Sequence, residues 1–347
     1  MNISYSRVAS YMSCPYAHYL NYELGVRLAK PVKPLYFGSD FHKLLELRGD
    51  SKAIKQAKKE IKEAYYELKP GWQAELGETY VEDLFSIFKD YCRVYREAPI
   101  PTITEKDFEL PMFEHRGEPY LFKGKIDELY LRKQRSTGKK YIKVGEHKTF
   151  SRRPDTNTLV MNVQKNLYAK AAHILYGVLP RSVIWDYIHS TPAMEPIWLE
   201  KSKRFSMAKS GQITPFSWLR ACKARGITDE ETLARAEDFK GNIPAFFFRV
   251  EQDFIPQMVE STWEGFMFQA KLIARYGAKN KTKNMTRNCS YCSYRDICYT
   301  ELTGGNLLYL LQRNYTMKPR EDIVSEDRRA YDPFFSEFYK DFVEKPF

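Results

Sequence analysis

Two short stretches of the sequence, GKIDE and GEHKT, carry side chains that could support metal chemistry. Both lie in β-rich sequence, where side chains two positions apart share a face, so Glu146 and Lys148 point together and His147 points away. If the two strands form a hairpin, Asp127 can lie beside Glu146. Two adjacent carboxylates repel each other and favour a hard divalent cation such as Mg²⁺ or Mn²⁺ between them. Lys148 could then orient an attacking water or offset the charge of a phosphate.

Three further residues could join this group, although each is ambiguous alone. His42 lies in a helix-like segment, where a lone histidine is more often a packed core residue than a ligand. Gln164 and Tyr168 are four positions apart in a predicted helix, so both can face one cleft. Acidic and basic residues are also common on a solvated hairpin, and these residues alone leave that alternative open.

Four of the six cysteines form a separate pattern. Cys289, Cys292 and Cys298 are spaced C-x2-C-x5-C, and Cys14 lies far earlier in the chain. Three clustered thiolates and one distant partner supply four ligands, enough for a [4Fe-4S] cluster or a tetrahedral zinc. Zinc ribbons usually present two C-x2-C pairs and this chain has one, so we favour the cluster over zinc or unliganded thiols. The cluster would join the first helices to a late segment.

The composition describes a folded chain with a basic, aromatic surface. Of its 347 residues, 43% are hydrophobic and 29% charged, which argues against fibrous or wholly disordered classes. A net charge of +11, with 25 Tyr and 22 Phe, suits a polyanion with stackable bases. No apolar run is long enough to span a bilayer and no secretion signal is evident, so we expect a cytoplasmic protein with no membrane partner.

The order of predicted elements indicates an α/β core. A helical first part is followed by three β-rich runs, a helix and another strand, and then by basic, mostly helical sequence. The predicted elements are helices over 51–68, 81–95, 157–176, 200–242 and 253–276, and strands over 107–115, 119–132, 139–148, 182–189 and 245–250.

Taken in order, G-x3-H-x2-L-E, G-K-I-D, E-H-K and Q-x3-Y resemble the PD-(D/E)XK nuclease superfamily, and in particular its RecB-like exonuclease branch. Ile126 replaces the eponymous proline, which the branch tolerates. The resemblance implies the restriction-endonuclease-like fold, α-β-β-β-α-β with a mixed central sheet, which agrees with the predicted order. It also implies metal ligands at Asp127, Glu146 and His42, a water-positioning lysine at Lys148, and DNA contacts or support of the site from Gln164 and Tyr168.

The cysteine pattern is similar to that of members of the same branch, such as the AddB subunit and CRISPR adaptation nucleases. These proteins hold a cluster by one early and three late cysteines. Several basic residues near the motifs could contact DNA phosphates, although a solvated cationic face is the alternative. These residues are Lys123, Lys125, Arg152, Arg153 and Lys165.

These observations predict a metal-dependent DNA exonuclease acting on single strands or duplex ends, in recombination, phage DNA metabolism or spacer acquisition. The alternatives are a non-catalytic, DNA-end-binding iron–sulfur protein and an endonuclease of the same superfamily. The sequence contains no G-x4-G-K-[ST] phosphate loop, so any unwinding would require a helicase or recombination partner. We expect an N-terminal helical region at 1–100, a nuclease core at 101–200, a helical region with the late cysteines at 201–300, and a tail at 301–347 with an aromatic helix, Asp332–Val343.

Overall fold

A six-stranded mixed sheet lies at the centre of the protein in this computed structural model. The structure describes residues 1–317 apart from 31, 135 and 209, so the predicted helix Asp332–Val343 lies outside the described residues. The strands are β1 (Asn2–Ile3), β2 (Val26–Leu28), β3 (Ile103–His115), β4 (Glu118–Lys133), β5 (Lys140–Phe150), β6 (Ser182–His189), β7 (Trp198–Leu199), β8 (Arg204–Phe205), β9 (Phe247–Asp253) and β10 (Tyr315–Met317).

Helices cover both faces of this sheet and connect its strands. Their ends follow local chemistry: the side chains of Ser4, Asp50 and Asn162 accept hydrogen bonds from the first turns of three of them. The helices are α1 (Tyr5–Ser13), α2 (Pro15–His18), α3 (Lys33–Glu46), α4 (Ser51–Glu67), α5 (Pro70–Leu76), α6 (Tyr80–Val94), α7 (Val163–Tyr176), α8 (Pro215–Ala224), α9 (Glu230–Ala234), α10 (Pro256–Tyr276), α11 (Arg295–Leu302) and α12 (Leu307–Asn314).

The strand order β1-β4-β5-β6-β9, with β3 also paired to β4, gives the mixed sheet that the sequence predicts. The β3–β4, β4–β5 and β6–β9 pairs are antiparallel, whereas β5 and β6 are parallel. A parallel pair needs a crossover connection, and α7 provides it. The α-β-β-β-α-β fold class is therefore confirmed.

The strands β4 and β5 diverge part-way along their length. They pair from Lys133 and Lys140 as far as Glu128 and Gly145. Beyond that point β5 continues beside β6, while β4 pairs with β1 at Leu121 and Phe122. Because the edges of β4 and β5 separate here, a cleft opens between them, and Asp127 and Glu146 are the first residues beyond the last pair.

The two faces of the sheet belong to different hydrophobic cores. On one face, Trp185 and Tyr187 of β6 share a core with residues of α7 and α10. On the other, Ile188 of β6 shares a core with residues of α3, α4 and α6. Since side chains alternate along a strand, β5 sends Glu146 toward α7 and His147 toward α3 and α6.

Two smaller hydrophobic clusters lie outside these two cores. The first joins α2 and β2 to α11, α12 and β10, so segments from both ends of the described chain pack together. The second is formed around Trp218 by residues of the segment that connects β6 to β9. No helix among these residues combines the length and apolar character required to cross a membrane.

The helical prediction for 200–242 is wrong in its first part. Residues 204–205 form β8, which pairs with β7, and α8 begins only at Pro215. The strand predicted at 245–250 is found as β9, which begins two residues later and pairs with β6 at the edge of the central sheet. Local periodicity does not predict a strand pair as short as β7 and β8, because each strand owes most of its stability to its partner.

Candidate active site

Asp127 lies where β4 and β5 separate, and its carboxylate accepts a hydrogen bond from a β5 amide that has no backbone partner on β4. The amide nitrogen of His147 donates a hydrogen bond to Asp127 Oδ2 at 2.8 Å. An amide that has lost its cross-strand carbonyl needs another acceptor, and Asp127 provides it. This bond fixes the carboxylate, whose other oxygen, Oδ1, lies 3.8 Å from His42 Nδ1.

Glu146 is the most deeply buried carboxylate of the cleft, with 4% of the residue exposed. Its Oε1 accepts hydrogen bonds from Lys148 Nζ at 2.5 Å and from Gln164 Nε2 at 2.9 Å. Its Oε2 is buried and has no hydrogen-bond partner among the described residues. Burial, together with the charge of Asp127, raises the pKa of Glu146 to about 7. A buried carboxylate oxygen without a donor is suited to binding a cation.

Lys148 is held in place from two sides. Its ammonium contacts Glu146 on the same strand and donates a hydrogen bond to Gln164 Oε1, from α7, at 3.1 Å. Burial lowers the pKa of Lys148, but the Glu146 carboxylate outweighs this effect, so the pKa is raised and the lysine is charged. Gln164 thus bridges Lys148 and Glu146 with both ends of its amide.

A second group of ligand atoms lies on the other side of Asp127. His42, from α3, places Nδ1 3.7 Å from Glu105 Oε1. One ligand atom from each of His42, Glu105 and Asp127 lies within 4.8 Å of the other two. Sequence reasoning missed Glu105, because it lies in β3, outside every recognised motif, and only the pairing of β3 with β4 brings it beside Asp127.

Tyr168 lies one helical turn after Gln164 on α7, as the sequence predicts. Its ring makes an edge contact with Phe108 at 5.9 Å between centroids. Burial and the charge of Glu146 raise its pKa, so the hydroxyl stays protonated. Tyr168 therefore faces the cleft from the helix side.

The five basic residues predicted to contact DNA differ in accessibility. Lys123 pairs with Glu109 at 2.6 Å, Lys125 with Glu105 at 3.1 Å, and both ammonium groups remain about half exposed. Lys165 is much less accessible, since it is 5% exposed and its ammonium lies 3.4 Å from Gln252 Oε1.

The two arginines after β5 complete this set. Arg152 is exposed. Arg153 Nη1 donates a hydrogen bond to the carbonyl oxygen of Pro244 at 3.3 Å, and its guanidinium lies 4.4 Å from the centroid of the Phe248 ring. Arg153 therefore already has protein partners at the edge of the cleft.

Comparison with known proteins identifies the family. The family model of the PD-(D/E)XK nuclease superfamily matches residues 2–299, which is most of the chain. The chain belongs to this superfamily. A search of curated proteins finds no match. Among solved structures, "Crystal structure of SSO0001" aligns with 11% identity and a TM-score of 0.27, covering 76% of this chain and 94% of the other, a likeness too weak to support an argument.

Membership of this superfamily implies a metal-dependent nuclease with DNA as its substrate. Nucleases of this superfamily use divalent metals such as Mg²⁺ or Mn²⁺. The donors in the cleft fit such an ion, since carboxylate oxygens and an imidazole nitrogen suit hard or borderline divalent cations. Glu146 Oε2, buried and without a partner among the described residues, fits the same requirement.

Beneath the cleft, the nuclease contains a buried network of charges centred on His147. Its imidazole lies 3.1 Å from Glu128 Oε1 and 3.0 Å from Asp186 Oδ2. Arg249 Nε lies 3.1 Å from Asp186 Oδ1, and Tyr91 donates a hydrogen bond to the same carboxylate. Burial lowers the pKa of His147, but the charges of Glu128 and Asp186 outweigh it, so the pKa is raised and the ring is cationic.

Replacing His147 with glutamine should destabilise the nuclease by about 3–5 kcal/mol, because Glu128 and Asp186 would lose their shared cation inside the protein. Denaturant unfolding measures this change, with His173→Gln on α7 as the control, for which we expect a loss below about 1 kcal/mol. Equal, small losses in the two variants would contradict the importance of the network.

The four predicted cluster ligands of the nuclease line one cavity of about 690 Å³, away from the carboxylates. Cys14 directly precedes α2, Cys289 lies within a short 3-10 helix (Arg287–Tyr291), Cys292 directly follows it, and Cys298 lies on α11. Burial raises the pKa of Cys298 to about 11, although Lys283 opposes the shift. The amide of Tyr16 donates a hydrogen bond to the carbonyl oxygen of Thr282 at 3.0 Å, which holds the early and late segments together.

Proposed function

We propose that this nuclease is an exonuclease of the RecB-like branch that hydrolyses phosphodiester bonds at DNA single strands or duplex ends. The observation that carries the proposal is the convergence of Asp127, Glu146, Lys148 and His42 at one strand divergence, where Glu146 Oε2 is buried without a hydrogen-bond partner among the described residues. A DNA-binding module has no need of a buried carboxylate held beside a lysine.

Each residue of this group has a distinct role in the proposal. Asp127, Glu146 and His42 hold the divalent cation, which when bound polarises the phosphate and activates a water. Lys148 positions that water and offsets the charge developing on the phosphate. Gln164 holds the Lys148 and Glu146 side chains in their relative positions, and its hydrogen bonds to both support this role.

DNA binding in the proposal depends on the accessible basic residues around the cleft. Lys123, Lys125 and Arg152 are exposed enough to contact phosphates, and Arg153 lies at the edge of the cleft. Phosphate contacts position a substrate without reading its sequence, which suits an exonuclease. Tyr168 would contact the DNA backbone or support Gln164 from the next helical turn.

We also propose that Cys14, Cys289, Cys292 and Cys298 bind a [4Fe-4S] cluster. The shared cavity supports this assignment. Zinc ribbons usually present two C-x2-C pairs, whereas this chain has one such pair with a third late cysteine and one early cysteine, which favours the cluster over zinc.

Several finer features belong to the same proposal. Three features stay predictions: the division of the chain into regions at residues 100, 200 and 300, the cytoplasmic location, and the action with a helicase or recombination partner. The biological role, in recombination, phage DNA metabolism or spacer acquisition, is also a prediction. The two alternative functions stay predictions as well. A non-catalytic end-binding protein would bind DNA ends without cutting, and an endonuclease would cut closed circles.

Digestion of matched DNA substrates separates these functions. With Mn²⁺ or Mg²⁺, we expect linear strands labelled at either end to be shortened progressively, while covalently closed circles of the same sequence stay intact. A chelator should stop the digestion, because the ion activates the water. Cutting of closed circles would identify an endonuclease, and binding without cutting would identify an end-binding protein.

A further inference from the structure

Glu105 occupies an unusual position on β3. Its neighbours Thr104 and Lys106 pair with Glu128 and Ile126 of β4, so Glu105 lies opposite Asp127. Its backbone φ is +49°, a conformation that is uncommon for a residue other than glycine. Its side chain is only 10% exposed. An acidic side chain on an outer strand is thus turned inward, beside the carboxylate of the cleft.

The two oxygens of Glu105 face two different groups. Oε1 lies 3.7 Å from His42 Nδ1, and Oε2 lies 3.1 Å from Lys125 Nζ. One oxygen of Glu105 therefore faces an imidazole nitrogen, and the other faces an ammonium group. Lys125 is about half exposed, so its ammonium can turn outward to solvent.

We propose that Glu105 is a ligand of the divalent cation, together with His42 and Asp127, and that Lys125 competes with the cation for this carboxylate. The inference rests on the proposed function and adds a ligand that the motifs do not contain. Glu146 supplies the independent observation, since the residue is 4% exposed, its buried Oε2 has no partner among the described residues, and it stands next to Asp127 at the point where β4 and β5 separate.

The competition couples the cation to DNA. Without the cation, Lys125 neutralises Glu105 and is drawn away from the substrate. With the cation bound, the positive charge near Glu105 repels the ammonium, which becomes available to a DNA phosphate. Because such coupling is reciprocal, DNA that engages Lys125 also favours binding of the cation.

Isothermal titration calorimetry of Mn²⁺ binding to the full-length protein, without DNA, tests the inference independently of cleavage. Glu105→Gln should weaken Mn²⁺ binding by about tenfold or more, because a charged ligand is lost. Lys125→Met should strengthen it about threefold, because a competing positive charge is removed. A general loss of folding would not give this opposite pair of effects.

The neighbouring pair Glu109–Lys123 provides matched controls, since it also joins β3 to β4 and lies at 2.6 Å. Glu109→Gln and Lys123→Met should leave the Mn²⁺ affinity within about twofold of wild type, because screened, exposed charges interact weakly. Unchanged affinity in Glu105→Gln would overturn the ligand assignment. Weaker or unchanged binding in Lys125→Met would overturn the competition.

The variant Glu105→Gly tests whether misfolding explains a loss of Mn²⁺ binding. Glycine accepts a positive φ, so the melting temperature without metal should be maintained. The rise in melting temperature that Mn²⁺ causes in wild type should shrink, because that rise reflects binding to the folded state. A lower melting temperature without metal, combined with a full Mn²⁺-induced rise, would show a structural role and overturn the inference.

Digestion of linear DNA by the wild-type protein separates failure of this inference from failure of the proposed function. If wild type degrades DNA ends and Glu105→Gln binds Mn²⁺ normally, the inference fails and the function stands. If the Mn²⁺ effects are found but DNA ends stay intact, the cation site stands and the exonuclease proposal fails. Absence of Mn²⁺ binding in wild type overturns the site itself.

Discussion

Replacing Asp127 or Glu146 with alanine is expected to abolish DNA cleavage, with a loss of at least about a thousandfold in rate, while DNA binding is largely kept. Each substitution removes a proposed metal ligand, and metal activation contributes several kcal/mol to such a reaction. The exposed basic residues that we propose to contact phosphates remain in place. End-labelled digestion measures the rate, and fluorescence anisotropy measures DNA affinity.

Asp107→Ala is the matched control for this result, and this variant should keep its cleavage activity. Asp107 is an exposed carboxylate on β3, opposite Lys125 of β4, and lies outside the proposed ligand set. Full activity of Asp127→Ala and Glu146→Ala would end the nuclease assignment at this cleft. Lys148→Met should lose activity but retain Mn²⁺ binding, because an ammonium group has no lone pair to offer a metal.

Replacing Cys14 with alanine is expected to remove most of the iron and to lower the melting temperature by more than about 5 °C. Metal-binding free energy is coupled to folding free energy, and Cys14 belongs to the segment that packs against the late cysteines. Anaerobically purified wild type should be brown, with about four irons per chain. Elemental analysis and visible absorption measure the cluster, and DNA affinity should fall together with stability.

The cysteines outside the proposed cluster provide its control. Cys222 is buried in the core around Trp218, and Cys92 lies on α6 near Lys58, so their alanine variants should keep the iron. One zinc and no iron in wild type would exclude the cluster but would leave the carboxylate cleft unaffected. Iron content equal to wild type in Cys14→Ala would remove that residue from the ligand set.

Strongly periodic segments could be located from the sequence because their information is local. The strand predicted at 182–189 is β6. The helices predicted at 51–68 and 81–95 are α4 and α6, and each end differs from the prediction by one residue at most. The alternation in GEHKT placed Glu146 and Lys148 on one face and His147 on the other, as their contacts show.

Contacts between distant segments could not be predicted in this way. The two-residue strand β1 has no periodicity of its own, and pairing with β4 forms it. Lys165 carries a charge that suggested a phosphate contact, but packing of α7 turns it toward Gln252. The side-chain partners of His147 come from three other strands or helices: Glu128 from β4, Asp186 from β6 and His42 from α3.

The sequence by itself determined the superfamily, the α-β-β-β-α-β order of the core and the proposed ligands Asp127, Glu146 and His42, because residue type and spacing along one or two elements carry that information. Only the tertiary structure decided that β4 and β5 diverge at Asp127, that Glu146 Oε2 is left without a partner among the described residues, and that Glu105 joins the cleft. These features depend on strand pairing and helix packing, which set distances between residues far apart in the chain.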